Sequence, residues 1–317
     1  MVVGVPEKSG NGPATLASVA EDGQATRRRS PARAAAATVR TAESVAGAGQ
    51  LACVLEVSAE KPGNISPSHD FHDTSYEDML RSAIAVGPEL ARAGARSVGE
   101  TVLAVVEASR RVAPANTNLG IALLLAPLAK AALDAGPLHA RLAMTLRALD
   151  IADARAAYAA IRLSGASGLD EPVEHDVHAE PTVGLREAMA SAAERDSVAS
   201  EYVTDYALTF EIGVPALVAA VDAGLAVREA IVELHLRLLG EVPDTLIARK
   251  VGHDAAADVS AGAREVLGAG GVRTDAGREA LERFDASLRE RGNALNPGTT
   301  ADLVTATLFV ALVERML

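Results

Sequence analysis

Apolar residues recur three and four positions apart through nearly every long segment after residue 31, whereas alternation at period two never persists. That spacing gathers apolar side chains into one stripe of a helix, as in Leu225, Ile231, Leu234 and Leu238, or Leu303, Leu308, Val310 and Leu312. Ser30 and Pro31 open an Ala-rich helical stretch towards Ser58, and Thr74 and Ser75 before Glu77 and Asp78 mark the start of another through Leu90. Further helical periods run over 97–112, 118–134, 137–148, 150–163, 183–194, 197–211, 214–221, 226–239, 244–267, 274–290 and 299–316, punctuated by glycines and prolines such as Gly63, Pro114, Pro243 and Pro297. The pattern predicts one all-α domain over 31–317 with ten or more helices. Residues 1–30 mix Gly, Pro, Ser and charges without any apolar period and are expected to form a disordered extension.

Composition changes the picture in two respects. The chain of 317 residues is 49% hydrophobic, enough for a core that needs neither metal nor disulfide. Its 42 Asp and Glu against 30 Lys and Arg give a net charge of −12, a field that repels nucleic acid and anionic lipid headgroups. An anionic ligand would therefore need local help from clustered cations, a helix N-terminus or a divalent ion. Arg27-Arg28-Arg29 is followed by no apolar segment of signal length, and the longest apolar run, Leu119 to Ala129, is too short to cross a bilayer. The single cysteine, Cys53, lies in an apolar run and reads as a small core residue. These features lead us to expect a cytoplasmic protein with no nucleic-acid and no membrane partner.

Polar residues concentrate at three junctions between helices. The first, from Glu56 through Lys61-Pro62-Gly63-Asn64 to His69-Asp70-Phe71-His72-Asp73, offers Lys61 as a cation for phosphate, and Glu56, Asp70 and Asp73 as oxygen ligands for a hard divalent ion. The second, Asn116-Thr117-Asn118-Leu119-Gly120, precedes the most apolar helix; Asn116 or Asn118 serves either as its cap or as part of an anion site. The third, Asn296-Pro297-Gly298-Thr299-Thr300-Ala301-Asp302, enters the last helix with Asp302 in its first turn.

Taken together and in this order, EVSAEKPGN, NTNLG and NPGTTADL resemble the triphosphoribosyl-dephospho-CoA synthase family, a similarity that spans about Val39 to Val313. Asn64 follows Gly63, and His69-Asp70-Phe71 and His72-Asp73 stand where bacterial members carry a Gly-x-His-x-Asp-Met stretch, so the chain looks more like an outlying, archaeal-type branch. The resemblance implies a helical, ATP-dependent transferase that moves the 5-triphosphoribosyl group of ATP to the 2'-hydroxyl of 3'-dephospho-CoA and releases adenine. Such a site needs a base for the attacking hydroxyl, an acid or hydrogen bond for adenine, and cations for the triphosphate. No Gly-x-x-x-x-Gly-Lys-Ser/Thr loop is present, so carboxylate-held Mg²⁺ is expected to take that role.

On this reading Glu56, Asp70 and Asp73 hold Mg²⁺, and Lys61 adds a cation. His69 is the base, and Asp302 keeps its charge and contacts the ribose or a second metal. Asn64, Asn116, Asn118 and Asn296 line the same cleft. Two alternatives stay open: a related nucleotide-dependent transferase using another acceptor in pterin or one-carbon cofactor synthesis, and a non-enzymatic helical nucleotide-binding protein.

Other features have competing readings. Arg249 and Lys250 with His253 and Asp254 read as a solvated helix face or as contacts to a triphosphate or CoA phosphate, Arg249 and His253 sharing a face. Glu174-His175-Asp176-Val177-His178, in the acidic loop 164–182, reads as a metal site, a lid or a solvated loop. Tyr202, Tyr206 and Phe210 form a stripe expected in the core, flanked by Asp196, Glu201 and Asp205 as solvated carboxylates or metal ligands. His139 and His235 are expected to be satisfied core or boundary histidines, and Gly268-Ala269-Gly270-Gly271 a helix-ending turn.

Overall fold

The computed structural model describes residues 1, 40–113, 118–165 and 176–317. Residues 2–30 of the expected extension, Asn116 and His175 lie outside the described residues. Among those described there is no strand, only an isolated bridge between Ser66 and His69, in line with the all-α expectation.

Helix starts follow side-chain chemistry. Thr41 caps α1 (Ala42–Val57) by accepting from the Ser44 amide at 3.2 Å. Reciprocal capping by Ser75 with Asp78 opens α2 (Tyr76–Leu90), and by Ser97 with Glu100 opens α3 (Val98–Arg110). Beyond them α4 (Leu119–Leu133) runs through the centre, with eleven of its fifteen residues buried, as expected of a helix that is apolar all round. The chain continues through α5 (Leu138–Arg147), α6 (Ile151–Ser164), α7 (Leu185–Ala190) and α8 (Ser197–Val203). A π-helical turn (Leu208–Gly213) leads into α9 (Val214–Asp222) and α10 (Val227–Glu241). The last four helices are α11 (Thr245–Val251), α12 (His253–Gly268), α13 (Asp275–Arg289) and α14 (Gly298–Val313). The core forms where α14, also buried along most of its length, packs on α1, α4 and α10. No single helix is long and apolar enough to cross a membrane.

Two helices expected to be continuous are broken. The 244–267 segment divides at Gly252, whose φ of +119° ends α11 and starts α12, so Arg249 and His253 lie on different helices. The 197–211 segment stops at Val203, after which Asp205 and Tyr206 take left-handed φ values of 54° and 66°. The second break leaves backbone groups that side chains satisfy. Arg186 donates to the carbonyls of Tyr202 and Val203 at 3.0 and 3.2 Å, and the Glu201 carboxylate accepts from the amides of Leu208 and Thr209.

The tyrosine stripe is core, as expected: Tyr202 and Tyr206 are fully buried and their hydroxyls donate to the carbonyls of Leu123 and Leu124 at 2.7 and 3.0 Å. Pro127 explains one of these bonds. It has no N–H to offer the Leu123 carbonyl four residues earlier, and the Tyr202 hydroxyl takes that place. His139 stacks on Phe210 at the surface, whereas His235 is fully buried and neither ring nitrogen has a partner, so it is a core residue but not a satisfied one. Gly270, at φ +110°, follows the end of α12 as the expected turn.

Candidate functional site

The last turn of α1 turns Glu56 inward, where it is 4% exposed. Its charge is answered by Lys61, whose Nζ sits 3.0 Å from Glu56 Oε1 and donates to the Glu56 carbonyl at 2.6 Å. Lys61 is itself 1% exposed. The turn that carries it is tied to α13: the Gly63 amide donates to Asp285 Oδ1 at 2.7 Å, and Arg289 donates to the Asn64 carbonyl at 2.9 Å while pairing with Asp285. Gly63 adopts φ +72° with Leu288 and Pro297 closing over it, a place where any side chain would collide. The Lys-Pro-Gly-Asn sequence therefore builds a buried brace under Glu56.

Asp302, expected in the first turn of α14, lies just past it, since that turn holds no acidic residue, and stands against the N-terminus of α4. A Cβ at Gly120 would lie 2.0 Å from Asp302 Oδ2, so the glycine of Asn-Leu-Gly is what lets the two helix ends meet around this carboxylate. Burial, then the charges of Glu56, Asp244 and Asp196, push its pKa well above the usual range, against the opposing pull of Arg249. The expectation that Asp302 keeps its charge at the helix N-terminus is thus corrected: burial and three neighbouring carboxylates raise its pKa, and past the first turn the helix dipole does little to oppose them.

Asp244, which sequence reading passed over, holds this wall together. Its Oδ1 caps α11 at the amides of Leu246 and Ile247, and its Oδ2 accepts from the Thr300 amide and hydroxyl at 2.8 Å each. The signal was present as Pro243-Asp244 before a helical period. Asp196 caps α8 in the same manner through Val198 and Ala199, and its other oxygen pairs with Arg249.

These elements enclose a cleft of about 1010 Å³. Of the residues singled out in the sequence, Glu56, Asp73, Arg249, Lys250, Asn296 and Asp302 line it, and His253, Asp196 and Asp176 join them. Asn296 presents a buried Oδ1 with no hydrogen-bond partner among the described residues. Burial and the neighbouring Arg249 lower the pKa of Lys250, while Asp244 and Asp73 oppose the shift.

The remaining candidates lie elsewhere. Lys61 sits behind Glu56, and Asn64 is buried in the brace. Asn118 occupies the start of α4 but does not cap it; its Nδ2 donates to Ser109 Oγ at 3.0 Å. His69 is not among the cleft residues: its backbone pairs with Ser66 and its half-exposed ring lies 4.0 Å from the Glu60 carboxylate. Asp70 accepts from the Tyr76 amide at 2.7 Å, which fixes the approach to α2. Glu56, Asp70 and Asp73 therefore do not form the expected metal-holding trio, and among the described residues no three His, Cys, Asp or Glu side chains are grouped for a metal. Cys53 is buried beneath the site, its thiol pKa raised by burial and then by Glu56 and Asp302.

Comparison with known proteins identifies the scaffold. Residues 42–317 match the model of the CitG family, described as ATP:dephospho-CoA triphosphoribosyl transferase. A protein of Stutzerimonas stutzeri named "Probable 2-(5''-triphosphoribosyl)-3'-dephosphocoenzyme-A synthase" is 34% identical over 32% of this chain and 34% of its own length. A Pseudomonas fluorescens protein of the same name is 28% identical over 55% of this chain and 58% of its own. A 2-(5''-triphosphoribosyl)-3'-dephosphocoenzyme-A synthase of Klebsiella pneumoniae is 37% identical over 27% and 30%. The matched region thus spans about a third to just over half of these curated relatives. A crystal structure of a candidate triphosphoribosyl-dephospho-coA synthase from Archaeoglobus fulgidus superimposes with a TM-score of 0.58 at 30% identity, covering 74% of this chain and 98% of that one. With the family model matched over nearly all of the described chain, and the family's ordered motifs at the ends of α1, α4 and α14 around one cleft, this chain belongs to the CitG family.

Proposed function

We propose that the chain transfers the 5-triphosphoribosyl group of ATP to the 2'-hydroxyl of 3'-dephospho-CoA, with release of adenine. The observation that carries this reading is one wall holding two carboxylates in opposite electrostatic settings: Glu56, paired with a buried ammonium, and Asp302, pushed towards its neutral form. A pair of acids held apart in this way serves as a base and an acid on the same reaction.

Glu56 takes the proton of the acceptor's 2'-hydroxyl as that oxygen bonds to the ribose anomeric carbon of ATP. The bond from that carbon to adenine breaks, its electrons leave with the base, and Asp302 supplies the proton that makes neutral adenine. Solvent exchange then returns a proton to Asp302 and removes one from Glu56. We assign the base to Glu56 rather than His69 because Glu56 lines the cleft and His69 does not. Arg249, Lys250 and His253 face the same space and receive the triphosphate. Asn296 Oδ1, buried without a donor, suits an amino group of a nucleobase.

Mg²⁺ is expected to enter on the triphosphate. A magnesium ion carried by phosphates needs one or two protein carboxylates rather than a full cage, and the half-exposed Asp73, beside Lys250 on the cleft edge, fits that demand. The ion would supply neutralisation of triphosphate charge.

Incubation of the full chain with ATP, Mg²⁺ and 3'-dephospho-CoA, followed by chromatography and mass spectrometry, tests the reading. Free adenine in step with a triphosphoribosylated acceptor is the expected result. Absence of both, with ATP and acceptor recovered intact, would overturn it.

A further inference from the structure

The cleft has two chemically distinct ends. Its charged end is built by α1, α11, the start of α12 and the turn into α14, and carries Glu56, Asp302, Arg249 and Lys250. The other end is built by α6 and α7, which pack on each other and make no extended contact with α1, α11 or α14, while α4 and α8 join the two ends. Its wall is Leu123, Tyr158, Ile161, Leu185, Met189 and Val198. The cations Arg110 and Arg195, which also border the cleft, are exposed at its rim.

We infer that this apolar end holds the pantetheine arm of the acceptor and sets the enzyme's preference for it over a bare nucleotide; the inference rests on the transfer reading above. The substrates offer few parts to place. A triphosphate is ill suited to this end, where the wall is apolar, Asp176 beside Tyr158 repels phosphate, and Arg110 and Arg195 lie exposed at the rim. The departing adenine must stay at Asp302, where its proton comes from. Once the acceptor's 2'-hydroxyl is at Glu56, its long alkyl-amide arm is the part left to extend along α6 and α7. An apolar surface open to solvent along one side suits a chain in which methylenes alternate with amides, because the amides keep their water while the methylenes lose theirs. The volume of about 1010 Å³ exceeds what one nucleotide-sized ligand fills.

The test compares 3'-dephospho-CoA with ADP, which presents the same adenosine 2'-hydroxyl without the arm. Ala192→Trp places bulk on the half-buried lining of the apolar end, and Met189→Ala removes part of its wall. Both variants are expected to raise KM for 3'-dephospho-CoA about tenfold or more. KM for ATP, and for ADP as acceptor, should change less than about twofold. Calorimetric binding of 3'-dephospho-CoA should weaken in parallel. A rise in KM for ATP would assign the apolar end to the donor and overturn the inference, as would unchanged acceptor binding in both variants. Wild-type protein that releases no adenine with either acceptor would contradict the transfer reading, and calorimetry on the same variants would still decide whether the arm binds here.

Discussion

Two buried glutamates, each near the end of a helix, show how differently one residue type can be used. Glu56, in the last turn of α1, meets the Lys61 ammonium at 3.0 Å and opens onto the cleft. Glu201, in α8, is 0% exposed and meets no cation among the described residues; its oxygens accept from the Leu208 and Thr209 amides and from the Thr209 hydroxyl at 2.6 Å. Burial raises the Glu201 pKa to about 7 despite those three donors. Hydrogen bonds from neutral donors let a carboxylate close a broken helix, but a full opposite charge is what keeps one ready in a site that receives anions.

The largest expected effect comes from breaking the Glu56 pair. Lys61→Met should lower stability by about 3–5 kcal/mol, because it leaves a buried carboxylate uncompensated, and should abolish adenine release. Urea unfolding measures the first effect. Adding Glu56→Gln to Lys61→Met should recover most of the stability and none of the activity; failure to recover would mean that Lys61 braces the turn by its bulk rather than by its charge.

Glu201 sharpens the contrast through pH. Its folded pKa of about 7 lies above the ordinary glutamate value of 4.5, so the folded state binds this proton more tightly than the unfolded chain. The corresponding stability is fully present below about pH 4.5 and is lost as pH rises to about 7, by about 3 kcal/mol. Glu201→Gln should remove that part of the pH slope in denaturation curves recorded from pH 4.5 to 8. An unchanged slope would show that the π-helical turn is indifferent to the charge at Glu201.

The smallest effect is expected at His69, whose ring is half-exposed and outside the cleft lining. His69→Ala should change stability by less than about 0.5 kcal/mol and kcat by less than about twofold. A fall of a hundredfold would return His69 to the role of base and displace Glu56.

Much of this organisation was legible in the sequence. The helical period located the elements, and the motifs at 56–64 and 296–302 marked two walls of the cleft. What polar density did not tell is which side of the wall each residue occupies. Lys61 and Asn64 sit in the brace, while Asp70 and His69 order the path into α2. Periodicity also ran unbroken through Asp205 and Tyr206, because no glycine marks the left-handed turn and the groups that stabilise it, Arg186 and Glu201, act from outside that turn. Asp244 was hidden for the opposite reason: its capping role was ordinary in sequence, and its second oxygen reaches Thr300 from 56 residues away.

The central claim is that Glu56 and Asp302 act as base and acid on one reaction, and single-turnover adenine release with binding measured alongside tests it most directly. Glu56→Gln and Asp302→Asn should each slow release by about 10²–10⁴-fold while ATP and 3'-dephospho-CoA bind within about threefold of wild type. Release within about threefold of wild type in either variant, with both substrates bound, would contradict the account.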